Sequence, residues 1–526
     1  MHICLYLDRS RCLRWHQWLA AALSEMPGYR VSLVFARDQR PLPPLLTQAL
    51  ALERAIYGHP TELAIDKADA SMAAAASTGT QETEFDALID LAGLNDTLPR
   101  SRRVLMPLFN AVPGEIGAVA ALFGEGPVTI ELYDSSRATI SLMALPATSD
   151  RQVLTRALDG VLSRTIELIL KALRQSRPTD TQNVARPAIA PAHRMPVFAA
   201  TPIGVLHRLG VKLIALIGRI ATGGHHWAAA YRLSRTACLA GQQPATFTVL
   251  RDDRRRFFAD PFPLVHRGRR YIFLEEFPFA TQRGCISVAT VDEGGHASAP
   301  RVVLEAPHHL SYPFVFEHAG DIWMIPESGA ANRIDLYRAE RFPDRWTHEG
   351  TLIDNIRAHD TTLMRHDGRF WLFTSVARWG STSWDSLSLF HAAGLFGPWT
   401  AHTDNSVLLD AGQSRPAGAF FTHNGAILRP VQDCLRCYGG ETAFYRIDAL
   451  SPTDFRQTEV GRLVSGMRGC HTYNRCGDLE TIDVFDATRD LTHVDATYVP
   501  ADQTLHYRPA GPAQAVGPGH SAPVRT

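Results

Sequence analysis

Five residues suited to chemistry open five similar stretches in the second half of the chain. Asp260, Tyr312, Asp360, Arg415 and His471 each begin a β-rich unit, at spacings of 52, 48, 55 and 56 residues. Four of the five can carry charge near neutral pH, and both signs are present. Carboxylates, a guanidinium and an imidazole together offer paired donors and acceptors, which suit a ligand rich in hydroxyl groups. If the fold brings these residues together, they predict a carbohydrate site.

The repeat predicts how they would meet. Each unit reads as strand, tight turn, strand, loop, strand, loop, strand, with turns at Arg267-Gly268, Ala319-Gly320, Asp367-Gly368 and Asn424-Gly425. A residue followed by Gly between two β-rich runs indicates a hairpin. Four-strand units repeated at this period are typical of propeller blades. We therefore predict an all-β, five-bladed β-propeller over residues 225–500, closed by a strand from Trp227–Leu233. A β-sandwich with chance repetition is the alternative.

Polar residues at the ends of the same hairpins extend the predicted site. Of the pair Glu275-Glu276, one side chain must point inward in a strand and the other outward; we expect Glu276 to face the funnel, against a solvated pair at a loop. Two roles are open for the other polar residues at these strand ends: they bind sugar hydroxyls, or they form a structural network between blades. These residues are Arg429, Gln432, Asp433 and Asp483. The predicted binding residues are Glu276, Tyr312, Arg415, Arg429, Gln432, Asp433, His471 and Asp483.

The start of the first unit resembles an enzyme family. Ala259-Asp260-Pro261-Phe262 is similar to the five-bladed glycoside hydrolases of the arabinanase and xylosidase type. The resemblance implies that Asp260 is the general base of an inverting mechanism and that Asp360 orients and tunes the acid. That family keeps a Glu as general acid at the start of the fourth blade, where this chain has Arg415, which cannot release a proton near neutral pH. Either Glu327 replaces it, or hydrolysis is not the activity.

A more extensive resemblance covers nearly the whole second half. The matching pieces are Ala-Asp-Pro-Phe (259–262), Ile-Pro-Glu-Ser (325–328), His-Asp-Thr-Thr (359–362), Ser-Arg-Pro-Ala-Gly (414–418), Arg-Pro-Val-Gln-Asp-Cys (429–434) and His-Thr-Tyr-Asn (471–474). They resemble the propeller domain at the N-terminus of plant glucosamine inositolphosphorylceramide transferases and in bacterial proteins that lack the transferase domain. The resemblance implies a propeller in glycan or glycolipid assembly and supplies no reaction for it.

The first 175 residues predict a separate α/β domain, because short apolar runs alternate there with helical patterns around an open sheet. The order of residues 85–91, 104–108 and 128–132 resembles the formyltransferase fold, a Rossmann-like arrangement. That family's His-x-Ser-Leu-Leu-Pro stretch corresponds here to Phe109–Gly114, which has neither His nor Ser. We therefore expect a degenerate domain without formyl chemistry. No Gly-x-Gly-x-x-Gly follows the first strand, so no dinucleotide cofactor is predicted.

Between the two domains, residues 176–200 are rich in Pro and Ala and predict a linker. Residues 201–224 predict an amphipathic helix on which Arg208, Lys212 and Arg219 fall on one side. One interpretation places 203–221 on a membrane surface or against a glycosyltransferase partner. The other packs the helix on the body with a solvated basic stripe. Residues 501–526 predict a disordered tail.

The overall composition of the chain limits the classes of binding partner and the cellular compartment that we expect for it. Lys+Arg and Asp+Glu are equal at 53 each, so no global field favours nucleic acid. The first residues lack the pattern of a secretory signal, and the eight cysteines form no dense framework, which favours a reducing compartment. We expect a cytoplasmic protein, peripheral to the inner membrane if the helix binds lipid. Cys434, Cys437, Cys470 and Cys476 are interpreted as buried thiols rather than zinc ligands, and no metal is predicted.

These observations predict a carbohydrate-active protein of bacterial glycan, polysaccharide or glycolipid metabolism, with a sugar or glycoconjugate in the propeller funnel. If it is a glycoside hydrolase or transglycosylase, Asp260 is its base or nucleophile, Glu327 its acid and Asp360 the supporting carboxylate. Arg415 and His471 would bind a charged substituent such as a phosphate or uronate. The alternatives are a non-catalytic sugar-binding module and an accessory subunit of a glycosyltransferase system.

Overall fold

The first half folds into one mixed β-sheet with helices packed against it. In the computed structural model the described residues are 1–58, 62–75, 77–78, 84–94, 97–124, 126–148, 151, 153–175, 200–221, 226–241, 243–487 and 491–506. The strands of this half are β1 (His2–Leu7), β2 (Arg30–Phe35), β3 (Ser77–Thr78), β4 (Ala87–Asp90), β5 (Val104–Phe109), β6 (Val112–Pro113), β7 (Ile130–Asp134) and β8 (Thr139–Ala144). The helices are α1 (Arg14–Ser24), α2 (Pro44–Tyr57), α3 (Ala70–Ala75), α4 (Gly114–Phe123), α5 (Leu154–Arg174) and α6 (Pro202–Ala221).

The strand order of this sheet is β3-β2-β1-β4-β5-β7-β8, with β6 paired to β5. Strands β3, β2, β1, β4 and β5 are parallel, and β7 and β8 continue the sheet antiparallel. Strands β4 and β5 are buried along their whole length, as expected for parallel strands covered on both faces. The predicted α/β open sheet is therefore present, while its likeness to formyltransferases stays a prediction.

The second half is almost entirely antiparallel β-structure. Its strands are β9 (His226–Leu233), β10 (Ala245–Val249), β11 (Arg256–His266), β12 (Arg269–Pro278), β13 (Cys285–Val291), β14 (Arg301–Leu304), β15 (Ser311–His318), β16 (Asp321–Glu327), β17 (Arg333–Arg341), β18 (Arg345–Asp354), β19 (Ala358–His366), β20 (Arg369–Val376), β21 (Ser388–Ala392), β22 (Thr400–Ala401), β23 (Phe421–His423), β24 (Ala426–Asp433), β25 (Glu441–Leu450), β26 (Phe455–Val464), β27 (Tyr473–Cys476), β28 (Leu479–Ala487) and β29 (His493–Pro500). Short 3-10 helices lie at Arg9–Arg11, Cys238–Ala240, Gly329–Ala331 and Ala501–His506.

These strands form three four-stranded sheets and one sheet of nine strands. The four-stranded sheets are β11-β12-β13-β14, β15-β16-β17-β18 and β19-β20-β21-β22. The nine-stranded sheet has the order β23-β24-β25-β26-β29-β10-β9-β28-β27. The largely β second half is thus confirmed. Strand β9, which contains the predicted closing strand Trp227–Leu233, pairs with β28 near the far end of this half.

Helix α6 is oriented differently from both interpretations of its sequence. Arg208 forms an ion pair with the buried carboxylate of Glu53 on α2, with 2.7 Å between Nη2 and Oε1. The Lys212 ammonium lies over the ring of Tyr57, also on α2. Arg208 and Lys212 therefore face the body of the protein, because a buried carboxylate requires a cation. The exposed side carries Ile203, Leu206, Val211, Leu213, Ile214 and Ile217, together with His207.

Several predicted segments lie wholly or partly outside the described residues. Of the predicted linker only residue 200 is described, and the predicted tail is described only as far as 506, where 501–506 form a 3-10 helix. The side chain of Arg219, assigned to the basic stripe, is also outside. Within the part of the chain that the structure describes, no helix combines the length and apolar character needed to cross a bilayer.

Gly418 tests how closely the segment before β23 packs against β27. Gly418 has φ +140°, and an added Cβ would overlap the backbone carbonyl of Tyr473. We predict that Gly418→Ala lowers the free energy of unfolding by about 2–4 kcal/mol, because backbone must move to accommodate the methyl group. Gly425→Ala is the control, since its hairpin position is open and should cost only about 1 kcal/mol. Equal losses in urea unfolding would contradict this packing.

Candidate functional site

Strands β11, β15 and β19 share a backbone irregularity at the residues predicted to open the repeat units. Asp260, Tyr312 and Asp360 have φ values of 48°, 44° and 51°. Each lies where the register of its hairpin shifts, in the β11/β12, β15/β16 and β19/β20 pairs. Positive φ is uncommon for Asp and strained for Tyr, and a bulge re-aims the side chain that it carries. Repetition in three sheets brings these residues toward one centre, which Asp260 lines, while Tyr312 and Asp360 lie behind it in contact with Asp260 and Arg415.

A cavity of 240 Å³ opens at that centre. Its wall combines four aromatic rings with three carboxyl groups, two imidazoles, one guanidinium and one hydroxyl. The lining residues are Trp227, Phe257, Asp260, Glu275, Phe277, His309, Ser311, Glu327, Arg415, Tyr438 and His471. They come from three of the four sheets of the second half, or from the segments that lead into them. Asp260, Glu327, Arg415 and His471, predicted from the sequence, are thus brought together.

The strongest polar contact beside the cavity joins Asp360 and Arg415. Arg415 donates from Nε to Oδ2 at 2.6 Å and from Nη2 to Oδ1 at 3.2 Å, and both residues are buried. The side-chain amide of Gln432 donates to the same Oδ2 at 2.8 Å. Burial opposes the charge on Arg415, but Asp360 outweighs it and raises the pKa of the guanidinium well above its usual range. The cation is therefore committed to Asp360 and is not a free receptor for a phosphate or uronate.

Glu327 is held in the ionised state. Its Oε1 lies 2.9 Å from Nδ1 of His359, and its Oε2 lies 3.8 Å from Nη2 of Arg415. Burial favours the neutral form, but His359 and Arg415 outweigh it and lower the pKa of Glu327 well below its usual range. An ionised carboxylate can accept a proton or a hydrogen bond. It does not suit the proton-donor role that the sequence suggested.

The neighbouring glutamates on β12 divide as alternation requires, but in the opposite sense from the prediction. Glu275 lines the cavity, with Oε1 at 3.3 Å from Nε2 of His309. Glu276 points away and is satisfied by an ion pair with Arg256 and by the Ser287 hydroxyl, which donates to Oε2 at 2.6 Å. Glu276 is therefore corrected to a structural residue. A buried carboxylate must be paired or hydrogen-bonded, and Arg256 and Ser287 supply these partners to Glu276 on the side away from the cavity.

Glu275 is surrounded by like charge. Burial raises the pKa of its carboxyl group well above the usual range, and the carboxylates of Asp260, Glu327, Asp483 and Asp360 add to that effect. Glu275 is consequently protonated where Glu327 is ionised. Two cavity carboxyl groups in different protonation states are the arrangement from which acid and base roles arise.

His471 is fixed by a neighbouring carboxylate. Its Nδ1 lies 2.6 Å from Oδ2 of Asp483, whose Oδ1 accepts the backbone N–H of His471 and Thr472. Trp227 stacks on the imidazole, with ring centroids 3.7 Å apart and planes inclined by 11°. Burial opposes protonation, but Asp483 and Asp260 outweigh it and raise the pKa of His471. This cation, like Arg415, is already paired.

Asp260, His471 and Asp483 are also the described residues whose ligand atoms could converge on a metal ion, within 4.8 Å of one another. Each already has hydrogen-bond partners: Asp260 accepts from Thr472 Oγ1 at 2.8 Å and from the Tyr312 N–H at 3.2 Å. The set therefore satisfies itself as a hydrogen-bonded network, and nothing in this geometry calls for an ion. Burial raises the pKa of Cys434 to about 12, which disfavours the thiolate that zinc requires.

The remaining predicted residues support the cavity from behind or lie elsewhere. The Tyr312 hydroxyl contacts Thr362 Oγ1 and accepts the Gly418 N–H, below the cavity. Arg429 donates to backbone carbonyls of Gln413 and Ser414, and Asp433 forms an ion pair with Arg462. These contacts favour the structural network over sugar binding for Arg429 and Asp433.

The sequence missed the aromatic wall and Glu275. Phe257 and Phe277 are directly opposed on β11 and β12 and stack with centroids 4.9 Å apart. They lie two residues from Ala259 and Glu275 in each strand, so their side chains share the face of Glu275. This alternation of side chains along a strand was the sequence signal that could have identified Phe257 and Phe277 as cavity residues. Tyr438 lies in the segment between β24 and β25, where the sequence shows no such alternation.

Comparison with known proteins agrees with the resemblance of the second half. Residues 248–484 match the family described as "Glucosamine inositolphosphorylceramide transferase 1, N-terminal". The rice (Oryza sativa subsp. japonica) protein named Glucosamine inositolphosphorylceramide transferase 1 is 34% identical over 208 residues, covering 39% of this chain and 28% of the relative. Its Arabidopsis thaliana namesake is 31% identical over 223 residues, covering 41% and 29%. The chain therefore matches less than a third of these relatives' length.

Solved structures similar to this chain include glycoside hydrolases. A GH43_1 enzyme from Xanthomonas citri is 13% identical, covers 51% of this chain and 94% of its own, and has a TM-score of 0.35. Zg3597, a family 117 glycoside hydrolase of Zobellia galactanivorans, is 13% identical, covers 51% and 92%, and has a TM-score of 0.32.

The charge crowding at Glu275 predicts an unusual pH response. Because the folded-state pKa is raised, the unfolded chain loses this proton first as pH rises, and stability falls between the ordinary pKa of Glu and the folded-state pKa. Because the pKa of Glu275 is raised in the folded state, we predict that Glu275→Gln is more stable than the unmutated protein at pH 7. The gain should vanish near pH 4.

The matched control is Glu276→Gln, which breaks the ion pair with Arg256 and should destabilise the protein at pH 7. Urea unfolding at several pH values measures both variants. A Glu275→Gln variant that is less stable at pH 7 than at pH 4, relative to the unmutated protein, contradicts the protonated assignment.

Proposed function

We propose that the cavity binds one sugar ring of a glycoconjugate, in a protein of bacterial glycan or glycolipid assembly. The observation that carries the proposal is the juxtaposition of aromatic rings and carboxyl groups around 240 Å³ of space. Sites for drug-sized ligands span about 300–1,000 Å³, so this volume suits a single small ring. Aromatic faces pack against the C–H face of a sugar, while carboxyl groups and imidazoles bond its hydroxyls.

The proposed frame for this site is a five-bladed propeller. The three four-stranded sheets count as three blades. The nine-stranded sheet divides into β23-β24-β25-β26 and β10-β9-β28-β27, joined through β29. On this division β9, from the start of the β-rich half, completes the last blade, and the inner edges of all five blades surround the cavity. The plant family match covers residues 248–484, a range that includes β11 to β27.

The charge of the cavity favours an amino sugar over an anionic one. Arg415 is committed to Asp360 and His471 to Asp483, while Asp260, Glu275 and Glu327 face the cavity. Burial, together with repulsion from the neighbouring carboxylates, raises the pKa of Glu275, and an ammonium group would relieve the repulsion. An added carboxylate or phosphate would increase it. The plant relatives carry glucosamine in their name, which supports the same substrate class.

The binding prediction is a ranking of three monosaccharides. Glucosamine should bind at least about tenfold more tightly than glucose, since a charge-assisted hydrogen bond is worth about 1.5–3 kcal/mol, and glucuronate should bind most weakly. Isothermal titration calorimetry measures all three. Trp227→Ala should weaken every sugar, Glu327→Gln should weaken glucosamine selectively, and Glu276→Gln should change none of the rankings. Tighter binding of glucuronate than of glucosamine would refute the charge assignment.

Glycoside hydrolysis is the second candidate, favoured by the unequal protonation of Glu275 and Glu327. Glu275 would donate its proton to the glycosidic oxygen as the bond to the anomeric carbon breaks. Glu327 would take a proton from the attacking water, whose hydroxyl bonds that carbon. Turnover of a chromogenic glycoside panel that is lost in Glu275→Gln and Glu327→Gln supports an enzyme. Sugar binding without turnover supports a non-catalytic module or an accessory subunit of a glycosyltransferase.

The outward side of α6 supports a peripheral position on a lipid surface. Ile203, Ile214 and Ile217 are 65%, 72% and 58% exposed, and Leu206, Val211 and Leu213 are exposed on the same side, together with His207. A helix with one apolar side facing away from the protein is typical of an interfacial anchor. The plant relatives are named for an inositolphosphorylceramide, a lipid acceptor that such an anchor would bring within reach. The proposed location is the cytoplasmic side of the inner membrane.

Vesicle sedimentation tests this anchor. Ile214→Ser/Ile217→Ser should reduce the fraction of protein bound to phosphatidylcholine–phosphatidylglycerol vesicles by about tenfold or more, because each buried side chain contributes about 1.5–3 kcal/mol when fully immersed. Phe396→Ser, which removes an exposed aromatic residue elsewhere, is the control. Undiminished sedimentation overturns the lipid assignment. So does a dimer in light scattering that the double substitution converts to monomer, since a second copy would then cover the helix.

A further inference from the structure

We infer that the α/β domain is a positioning element of the cavity and acts through α5 and the loop of residues 378–385. Helix α5 is buried on nearly every side, although it carries the polar residues Ser163, Arg164, Glu167 and Lys171. A polar stripe on a helix normally faces water. Here it contacts the β-rich half instead. The ligand part of this inference rests on the proposed sugar site, and the structural part does not.

Arg164 is the centre of this contact. Its Nε donates to Oδ1 of Asp385 at 2.7 Å, and its Nη2 donates to the carbonyl of Thr382 at 2.8 Å. The side chains of Arg164 and Asp385 are both fully buried. The second oxygen of Asp385 accepts the backbone N–H of Ala147 at 2.9 Å. Both oxygens of this carboxylate are therefore held by the α/β domain.

Other residues of α5 fix the segments around the loop. The Ser163 hydroxyl donates to the carbonyl of Trp379, near the start of the loop. Lys171 donates from Nζ to the carbonyls of Ser406 and Val407 at 2.8 and 2.9 Å. The Ser406 hydroxyl donates to Glu167 Oε2 at 2.8 Å. The loop and the segment that follows β22 are thus tied to one helix of the other domain.

The same loop reaches the cavity wall through the two residues before Asp385. Ser383 accepts a hydrogen bond from Nη1 of Arg415 at 2.7 Å. Trp384 packs on Tyr438, with ring centroids 5.1 Å apart, and the Tyr438 hydroxyl accepts from Nη2 of Arg415 at 3.3 Å. Arg415 and Tyr438 both line the cavity.

Three consecutive residues therefore join the two domains to one site. Asp385 is held by α5, whereas Ser383 and Trp384 hold the guanidinium and the phenol of the cavity wall. Neither Arg164 nor Asp385 lines the cavity, so both are positioning residues. The inference gives the α/β domain a function that needs no chemistry of its own: it keeps the Arg415 side of the cavity in place.

Hydrogen exchange read by mass spectrometry tests the coupling without a ligand. Arg164→Met should speed exchange in residues 378–385 and also in 414–418, by about tenfold or more, because local opening becomes less costly. Arg156→Met, at an exposed position of the same helix, should change neither segment, and peptides of β16 should be unaffected by either variant. Faster exchange in 378–385 with unchanged 414–418 overturns the inference.

A second pair of variants leaves the domain contact intact and guards against misfolding of Arg164→Met. Ser383→Ala should speed exchange in 414–418 alone, and Ser383→Thr, which keeps the hydroxyl, should restore it. In glucosamine titrations, Ser383→Ala and Arg164→Met should each weaken binding about fivefold or more, with recovery in Ser383→Thr. Unchanged affinity in both variants counts against positioning. If the unmutated protein binds no sugar, the proposed function fails, and the exchange result alone decides the inference.

Discussion

The Asp360–Arg415 ion pair sets the electrostatics of the cavity. Five carboxyl groups (Asp260, Glu275, Glu327, Asp360 and Asp483) act on one another there, and Arg415 pairs with Asp360 and lies 3.8 Å from Glu327. Because it is bidentate to Asp360, the other carboxyl groups depend on imidazoles, hydroxyls and backbone N–H groups. His359 stabilises the charge of Glu327 and Asp483 that of His471, whereas Glu275 contacts the imidazole of His309 at 3.3 Å. Burial, together with the neighbouring carboxylates, raises the pKa of Glu275, and the carboxyl groups that face the cavity favour a cationic sugar.

Two features of the structure hold the charged groups of the cavity in place: the backbone geometry of three strands and the contact between the two domains. The three bulges with positive φ at Asp260, Tyr312 and Asp360 direct side chains from separate sheets to one point. Such strain persists only where surrounding contacts determine it, and here the contacts are the hydrogen bonds of the site itself. From outside, α5 holds the loop that contacts Arg415 and Tyr438. The cavity is therefore a property of the whole chain and not of one sheet.

The sequence predicted the parts of the site that repeat. The spacing of the β-rich units identified Asp260, Arg415 and His471 as neighbours, because equivalent positions in repeated sheets converge. It did not predict which of Glu275 and Glu276 faces inward, since that depends on a one-residue register and on Arg256 and Ser287 from other strands. It also reversed the sides of α6, because the buried Glu53 that attracts Arg208 lies 155 residues away. Interactions between distant residues decided every such case, and local patterns contain no record of them.

The most direct test of the central claim is a crystal structure of the protein soaked with glucosamine. We expect electron density for one ring in the cavity, stacked on an aromatic wall residue, with its ammonium group within hydrogen-bond distance of Glu275 or Glu327. Density for the sugar outside the cavity, or with its ammonium group turned toward Arg415, would contradict the proposed amino-sugar site.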